Sequence, residues 1–279
     1  MNNLIADSEA TLRLSAFFMV LILLICLEFV FPRRRLILPR LHRWISNIGI
    51  SLINTAFVKL VFPFAGLSAA ILAQQKQWGL LNQVEMPLWM GVILFLLIFD
   101  LTIYLQHRLF HAVPFLWRLH RMHHTDVDYD VTTGNRFHPV SILLSTIIKF
   151  LLVIMMGAAP VAILIAEVLL NATSMFNHSN LKLPVGLDRI LRKFIVTPDM
   201  HRIHHSVVVS EHSHNFGFNF PWWDRLFGTY IAEPSLGHET MKIGIEGFRN
   251  QKSANLLWLL IQPLFKPDEE DLLDQNGRV

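Results

Sequence analysis

Three long apolar runs constrain this chain more than any other feature. They cover residues 14–31, 48–73 and 87–105. A helix crossing a bilayer needs about 20 mainly apolar residues, so each run reads as a transmembrane helix. A fourth apolar stretch, 142–175, is divided at Gly157–Pro160 into two shorter halves. That break predicts a helical hairpin that enters and leaves on one side. Lys149 in its first half points to a shallow or protein-covered hairpin. The predicted fold is therefore an all-α integral membrane protein. It is a single domain over residues 1–279, with about three transmembrane helices plus the hairpin. The low share of charged residues, 16%, agrees, since soluble domains carry about 25%.

Basic flanks set the orientation. Arg33, Arg34, Arg35, Arg40 and Arg43 follow the first run, and only Arg13 precedes it. Positive charge marks the cytoplasmic side, which puts the N-terminus outside. The tail before the first run holds Asp7 and Glu9 and lacks a basic leader, so it reads as an uncleaved anchor. Pro63 and Gly66 are expected to kink the second span. By this parity, 32–47, 106–141 and 177–279 are all cytoplasmic. Those segments hold all 14 histidines. The expected location is a bacterial inner membrane or the endoplasmic reticulum.

Other classes are excluded or weakened. The single cysteine, Cys26, rules out an internal disulfide and a thiolate metal knuckle. Basic residues lack the aromatic interleaving of a nucleic-acid face. Residues 254–265 are apolar but too short to span, which suits the membrane interface. The acidic stretch 268–274 is expected to be solvated.

The histidines fall into ligand spacings. His107 and His111 are four apart, on one helix face. His120, His123 and His124 form an H-x-x-H-H unit, and His201, His204 and His205 repeat it. His178 stands alone past the hairpin. This many imidazoles exceeds the need of one metal, since catalytic zinc uses about three. Two adjacent metals are implied. Scarce carboxylates nearby argue against a ferritin-like cluster.

The order of these boxes resembles the fatty acid hydroxylase/sterol desaturase superfamily of membrane-bound di-iron oxygenases. Asp100, Tyr104 and His107 resemble its approach to the first box. Residues 132–139, with Arg136, Phe137, His138 and Pro139, resemble the segment after the second. Asn215–Gly217 and Trp223–Tyr230 resemble its closing motif. The resemblance covers about residues 95–235 and implies His107, His111, His120, His123, His124, His178, His201, His204 and His205 as metal ligands. His138 is left open between a tenth ligand and a residue that fixes its loop. The implied cofactors are two iron ions, with O2 as co-substrate. The implied partners are a membrane lipid and a separate reductase, cytochrome or ferredoxin. No catalytic group is expected beyond the ligands.

Asp100, Tyr104, Asn215 and Asp224 are expected to support them. Asp100 would orient an imidazole or an arginine. Asp224 reads either as an ion pair with Arg225 that closes the site or as a plain loop salt bridge. Glu28 is expected to reach the Arg33–Arg35 edge. Trp222, Trp223, Phe227 and Tyr230 read either as a lipid entrance or as packed core. His212 and His214 are expected at the surface or behind the ligands, and His42 and His238 are read as incidental. The expected reaction is lipid hydroxylation, with desaturation as the alternative. A bis-histidine haem electron-transfer protein would place lone histidines in facing spans, and a metal transporter would place ligands in mid-membrane. Neither pattern is present.

Overall fold

The computed structural model describes residues 2–64 and 66–266, with the backbone alone for residues 2–8. The acidic stretch at 268–274 lies outside them. Among the described residues the regular structure is helical, with two isolated β-bridges, Pro32 to Leu181 and Ser206 to Ile243.

Helix α1 covers Asn2–Val30, α2 Arg40–Val61 and α3 Leu67–Gln75. The expected second span is thus two helices. Pro63 has no amide to donate, and Gly66 at φ +67° takes a conformation that suits glycine, so the chain breaks instead of bending. Helix α4 covers Leu88–Ala112 and runs seven residues past the expected end at residue 105. It carries His107 and His111 as a direct extension of an apolar helix. Helix α5, Pro114–His124, follows after one residue, with Pro114 in its first turn.

Helix α6 (Pro139–Met156) and helix α7 (Pro160–Asn177) follow one another across the break where the sequence predicts a hairpin; α6 packs on α2, α3 and α4, and α7 on α1, α3 and α4. Gly157 at φ +66° ends α6 in the left-handed region, and Pro160 starts α7. Each half has 18 residues and ranks with α1, α2 and α4 among five helices long and apolar enough to cross a membrane. Each is therefore longer than the short half expected from the 142–175 stretch.

Helix α7 lies along α1, and α4 packs on α5, α6 and α7. Phe95, Phe99 and Ile103 of α4 meet Val153, Ala162, Ile163 and Ala166 in the largest apolar core. Short helices follow α7: α8 (Val185–Leu191), α9 (Pro198–His204), α10 (Val209–His212), α11 (Trp222–Leu226) and α12 (Gly237–Thr240), with α9 packed on α7. The arginines after α1 hold α9 and α12. Arg33 pairs with Asp199 at 3.3 Å, and Arg34 donates to the carbonyls of His238 and Met241. Helix α13, Leu256–Ile261, does more than rest at an interface. Its Leu259 is buried against Ile50 and Met122.

Candidate metal centre

Four elements deliver histidines to one place: the end of α4, α5, the end of α7, and α9 with the residue after it. Nine imidazoles form two groups. His107, His111, His120, His124 and His204 make one, and His123, His178, His201 and His205 make the other. Within each group the ligand atoms lie within 4.8 Å of one another. The groups adjoin, with the rings of His124 and His205 stacked at 4.5 Å.

The H-x-x-H-H units explain the division. In α5, His120 and His124 share one face and serve the first group, while His123 points to the second. In α9 the shares are reversed: His201 and His205 go to the second group and His204 to the first. Each unit therefore feeds both groups.

Ring orientation is set by backbone carbonyls. Nδ1–H of His107 donates to Phe216 at 2.8 Å, that of His204 to His214 at 2.7 Å, that of His178 to Ser174 at 2.7 Å, and that of His123 to Arg136 at 3.2 Å. Each bond fixes the tautomer that leaves the Nε2 lone pair free. The free Nε2 atoms converge. His107 is 3.0 Å from His120 and 2.9 Å from His204, and His123 is 3.0 Å from His178. Two nitrogens each about 2.0–2.1 Å from a metal, at a right angle, stand about 3 Å apart.

Further observations test the fit of a metal. Among the described residues, both ring nitrogens of His201 and His205 are buried with no hydrogen-bond partner. Buried polar atoms without partners are costly, and coordination would satisfy one nitrogen of each ring. Burial also pushes His120, His123, His124, His201, His204 and His205 well below the ordinary histidine range, and neighbouring imidazoles add to the shift. Burial lowers His178 to about 3, against the bond to Ser174. Neutral imidazole is the metal-binding form. The residues fit two metal ions with nitrogen-rich shells.

The supporting residues differ in detail from expectation. Among the described residues Asp100 has no hydrogen bond or ion pair with an imidazole or arginine. Its carboxylate accepts from the amides of Asn219 (3.1 Å) and Phe220 (3.3 Å) and from Trp223 Nε1 (2.9 Å). Asp224 does not pair with Arg225. It accepts from the amides of Phe216 and Gly217, both at 2.8 Å, and from the Thr229 hydroxyl. Burial raises its carboxyl to about 6, against those hydrogen bonds. Together these carboxylates pin the loop whose Phe216 carbonyl orients His107. Tyr104 meets Thr229 through its hydroxyl at 2.8 Å. Asn215, at φ +54°, donates to Met200 of α9 and to Ile231, so it locks the loop onto the helix bearing the third box. Trp223 is thus a loop anchor, while Trp222 stacks on Phe220 and Phe227 on Tyr104.

His138 lies in neither group. Its Nδ1 accepts from the Val140 amide at the start of α6, and its Nε2 donates to Leu260 at 3.1 Å. The loop-fixing alternative describes it. His212 stacks on Trp117 beside the first group, and His214 contributes its carbonyl. His42 is exposed. His238 is buried, with Nε2 3.3 Å from Glu233, and is more than a loop histidine.

Sequence reasoning missed a second support. Arg43 is fully buried and forks onto Asp126 (2.7 and 2.8 Å) and Asp130 (2.5 Å). These contacts hold the 126–136 loop, whose Arg136 carbonyl orients His123. The alternation of Asp126, Asp128 and Asp130 beside the second box was the available signal. Glu28 does not reach the arginine edge. It accepts from the amides of Val131 (2.8 Å) and Asn180 (2.6 Å).

Residues 92–229, which contain all nine histidines, match the family described as fatty acid hydroxylase. The chain is similar to ornithine lipid hydroxylase of Rhizobium tropici, 30% identical over 195 residues, covering 70% of this chain and 56% of that protein. It is 27% identical over 198 residues to alkylglycerol monooxygenase of Caenorhabditis elegans, covering 68% of this chain and 37% of that protein. It is 29% identical over 145 residues to cholesterol 25-hydroxylase of Rattus norvegicus, covering 51% and 47%. The matches thus span about half or less of these relatives. No solved structure matches the chain.

Proposed function

The chain belongs, through residues 92–229, to the fatty acid hydroxylase family, and from that premise we propose that it is a membrane-bound di-iron oxygenase that hydroxylates a C–H bond of a lipid. The observation that carries this reading is the pair of adjoining groups of buried imidazoles at the ends of membrane-length helices. The relatives named as lipid, alkylglycerol and sterol oxygenases favour hydroxylation over desaturation.

When bound, an iron pair would supply the four-electron reduction of O2 that inserts one oxygen atom. The balance is R–H plus O2, two electrons and two protons, giving R–OH and water. The electrons come from a separate reductase, cytochrome or ferredoxin. The chain's own residues do the positioning. His107, His111, His120, His124 and His204 would hold one ion, and His123, His178, His201 and His205 the other. The carbonyls of Phe216, His214, Ser174 and Arg136 aim four of these rings. Asp100 and Asp224 hold the loop that supplies the Phe216 carbonyl. Phe137, stacked on His123 at 4.5 Å, and Phe218, beside His107, His178 and His201, keep water from the ligands.

The arginine flank supports an outside N-terminus and a cytoplasmic cap, in a bacterial inner membrane or the endoplasmic reticulum. The test is metal analysis with Mössbauer spectroscopy on purified protein, joined to lipid profiling of an overexpressing strain. A coupled di-iron signal and an oxygenated lipid are expected. His123→Ala should abolish iron-dependent turnover and leave membrane insertion intact. Full turnover by that variant, or a haem Soret band, would sink the proposal.

A further inference from the structure

Eight of the nine histidines in the two groups are buried, and His111 alone is partly exposed. One indole stands beside it. The Trp117 ring lies 4.7 Å from His111 and 5.4 Å from His124. His212 stacks on the indole at 5.6 Å, nearly parallel, and its ring lies 6.2 Å from that of His111. Phe216 stands edge-on to His111 at 5.1 Å. Trp117 therefore covers the one place where a ligand of the first group meets the outside.

The corner where α4 gives way to α5 is exposed and apolar on its outer face. Leu105, Leu109 and Val113 are exposed at helical spacing, and Phe115 follows at 64% exposure. Helix α4 has 25 residues and is about 37 Å long at 1.5 Å per residue. A hydrocarbon core is about 30 Å thick. With Trp89 at one interface, Arg108 to Ala112 emerge at the other. The corner between α4 and α5 then lies at headgroup depth. Its exposed cations, Arg108 and Arg118, suit that depth, and residues 101–125 contain no carboxylate.

We propose that Trp117 is the gate through which a lipid chain passes from the bilayer to the first histidine group, and that its indole determines which carbon is oxidised. This rests on the proposed hydroxylase reading. The chain would lie against the indole, with Trp117 and Phe216 bounding its reach toward His111. Arg108 and Arg118 would face the headgroup. Trp117 is a specificity-determining residue, and no proton or electron transfer is assigned to it.

Two measurements test this on the full-length protein. The first is independent of turnover. Wild type and Trp117→Phe are reconstituted in vesicles of phosphatidylcholine carrying bromine at the 6,7 or the 11,12 acyl positions. The emission difference between the two proteins reports Trp117 alone. We expect at least twofold stronger quenching of that difference by the 6,7 lipid than by the 11,12 lipid. No quenching by either lipid would put Trp117 in water and overturn the gate. The second measurement is the position of the new hydroxyl. Trp117→Ala is expected to spread the product over neighbouring carbons and raise KM severalfold, with Trp117→Phe restoring most of the wild-type pattern. An unchanged hydroxyl position in active Trp117→Ala would also overturn the proposal. If wild type oxidises no lipid, the hydroxylase reading fails, while the quenching still reports where Trp117 stands.

Discussion

Replacing Arg43 by methionine tests the support beneath the second histidine group. The guanidinium is fully buried, as are Asp126 and Asp130. Burial alone would push the Asp126 carboxyl up, but Arg43 and then Arg136 carry it down to about 2. Removing one partner of a buried ion pair costs about 3–5 kcal/mol, because the remaining charge is stranded. Methionine keeps much of the volume, so the loss is electrostatic. Guanidinium titration of detergent-solubilised protein, followed by ellipticity, reads the difference. Arg43→Met should lose about 3–5 kcal/mol at pH 7, and Arg43→Met with Asp126→Asn should recover part of it. The pH dependence carries a second signature. The folded pKa of Asp126 is depressed, so its stabilisation is present above the unfolded value near 4 and is lost as pH falls toward 2. A shift of this size corresponds to about 2 kcal/mol, and Arg43→Met should lack that limb. A variant within 1 kcal/mol of wild type, or one with the acid limb intact, would refute the reasoning.

Other consequences are accessible to the same protein. In Gly217→Ala the new Cβ would sit 2.6 Å from Asp224 Oδ2 and 2.9 Å from the Phe220 carbonyl; a loss of about 1–3 kcal/mol and of metal from the first group is expected in denaturant titration and metal analysis. Asp100→Ala would strand the amides of Asn219 and Phe220 and the Trp223 indole; turnover should fall at least tenfold while membrane insertion persists. Burial holds His178 near a pKa of 3, below its unfolded value of about 6.5. Its contribution is present above pH 6.5 and is lost as pH falls toward 3, so chelator-treated protein should unfold at a higher pH than metal-loaded protein, and coincident acid transitions would count against the site.

Legibility in the sequence follows the range of each interaction. The membrane helices were readable because apolar length is a local property. The grouping of the histidines was readable in part because i, i+4 spacing on one helix already specifies a shared face, and 107/111, 120/124 and 201/205 fall together. Even the division of each H-x-x-H-H unit between two groups follows from that geometry. The reading failed where a side chain's partner lay far along the chain. A carboxylate in a span is costly, but the partners of Asp100 and Glu28 are mostly backbone amides, at 219 and 220 and at 131 and 180, that sequence does not distinguish from any others, with the Trp223 indole as the one side chain. His138 is an imidazole like the rest, and only the position of Leu260 shows that its ring is already engaged.

These long-range contacts share one logic, which explains why the closing segment 215–230 exists. An imidazole delivered by a helix has its Cβ fixed but its ring free to turn. A carbonyl on a separate loop stops that rotation, provided the loop is itself held. Asp224 holds Phe216, Asp100 holds the residues beyond it, and Asn215 ties the start of the loop to α9. Each support acts on backbone atoms of a loop that contributes no imidazole to either group, though it contributes one of the four orienting carbonyls, that of Phe216, and follows directly on a second, that of His214. Damage to this loop should therefore appear first as loosened metal affinity, with the helices and their histidines still in place. Asn215→Ala gives a clean case, because the asparagine lies outside the membrane-length helices and touches no ring. Its iron should exchange faster in a chelator competition assay with unchanged helicity, and an unchanged exchange rate would break the link between the loop and the ligands.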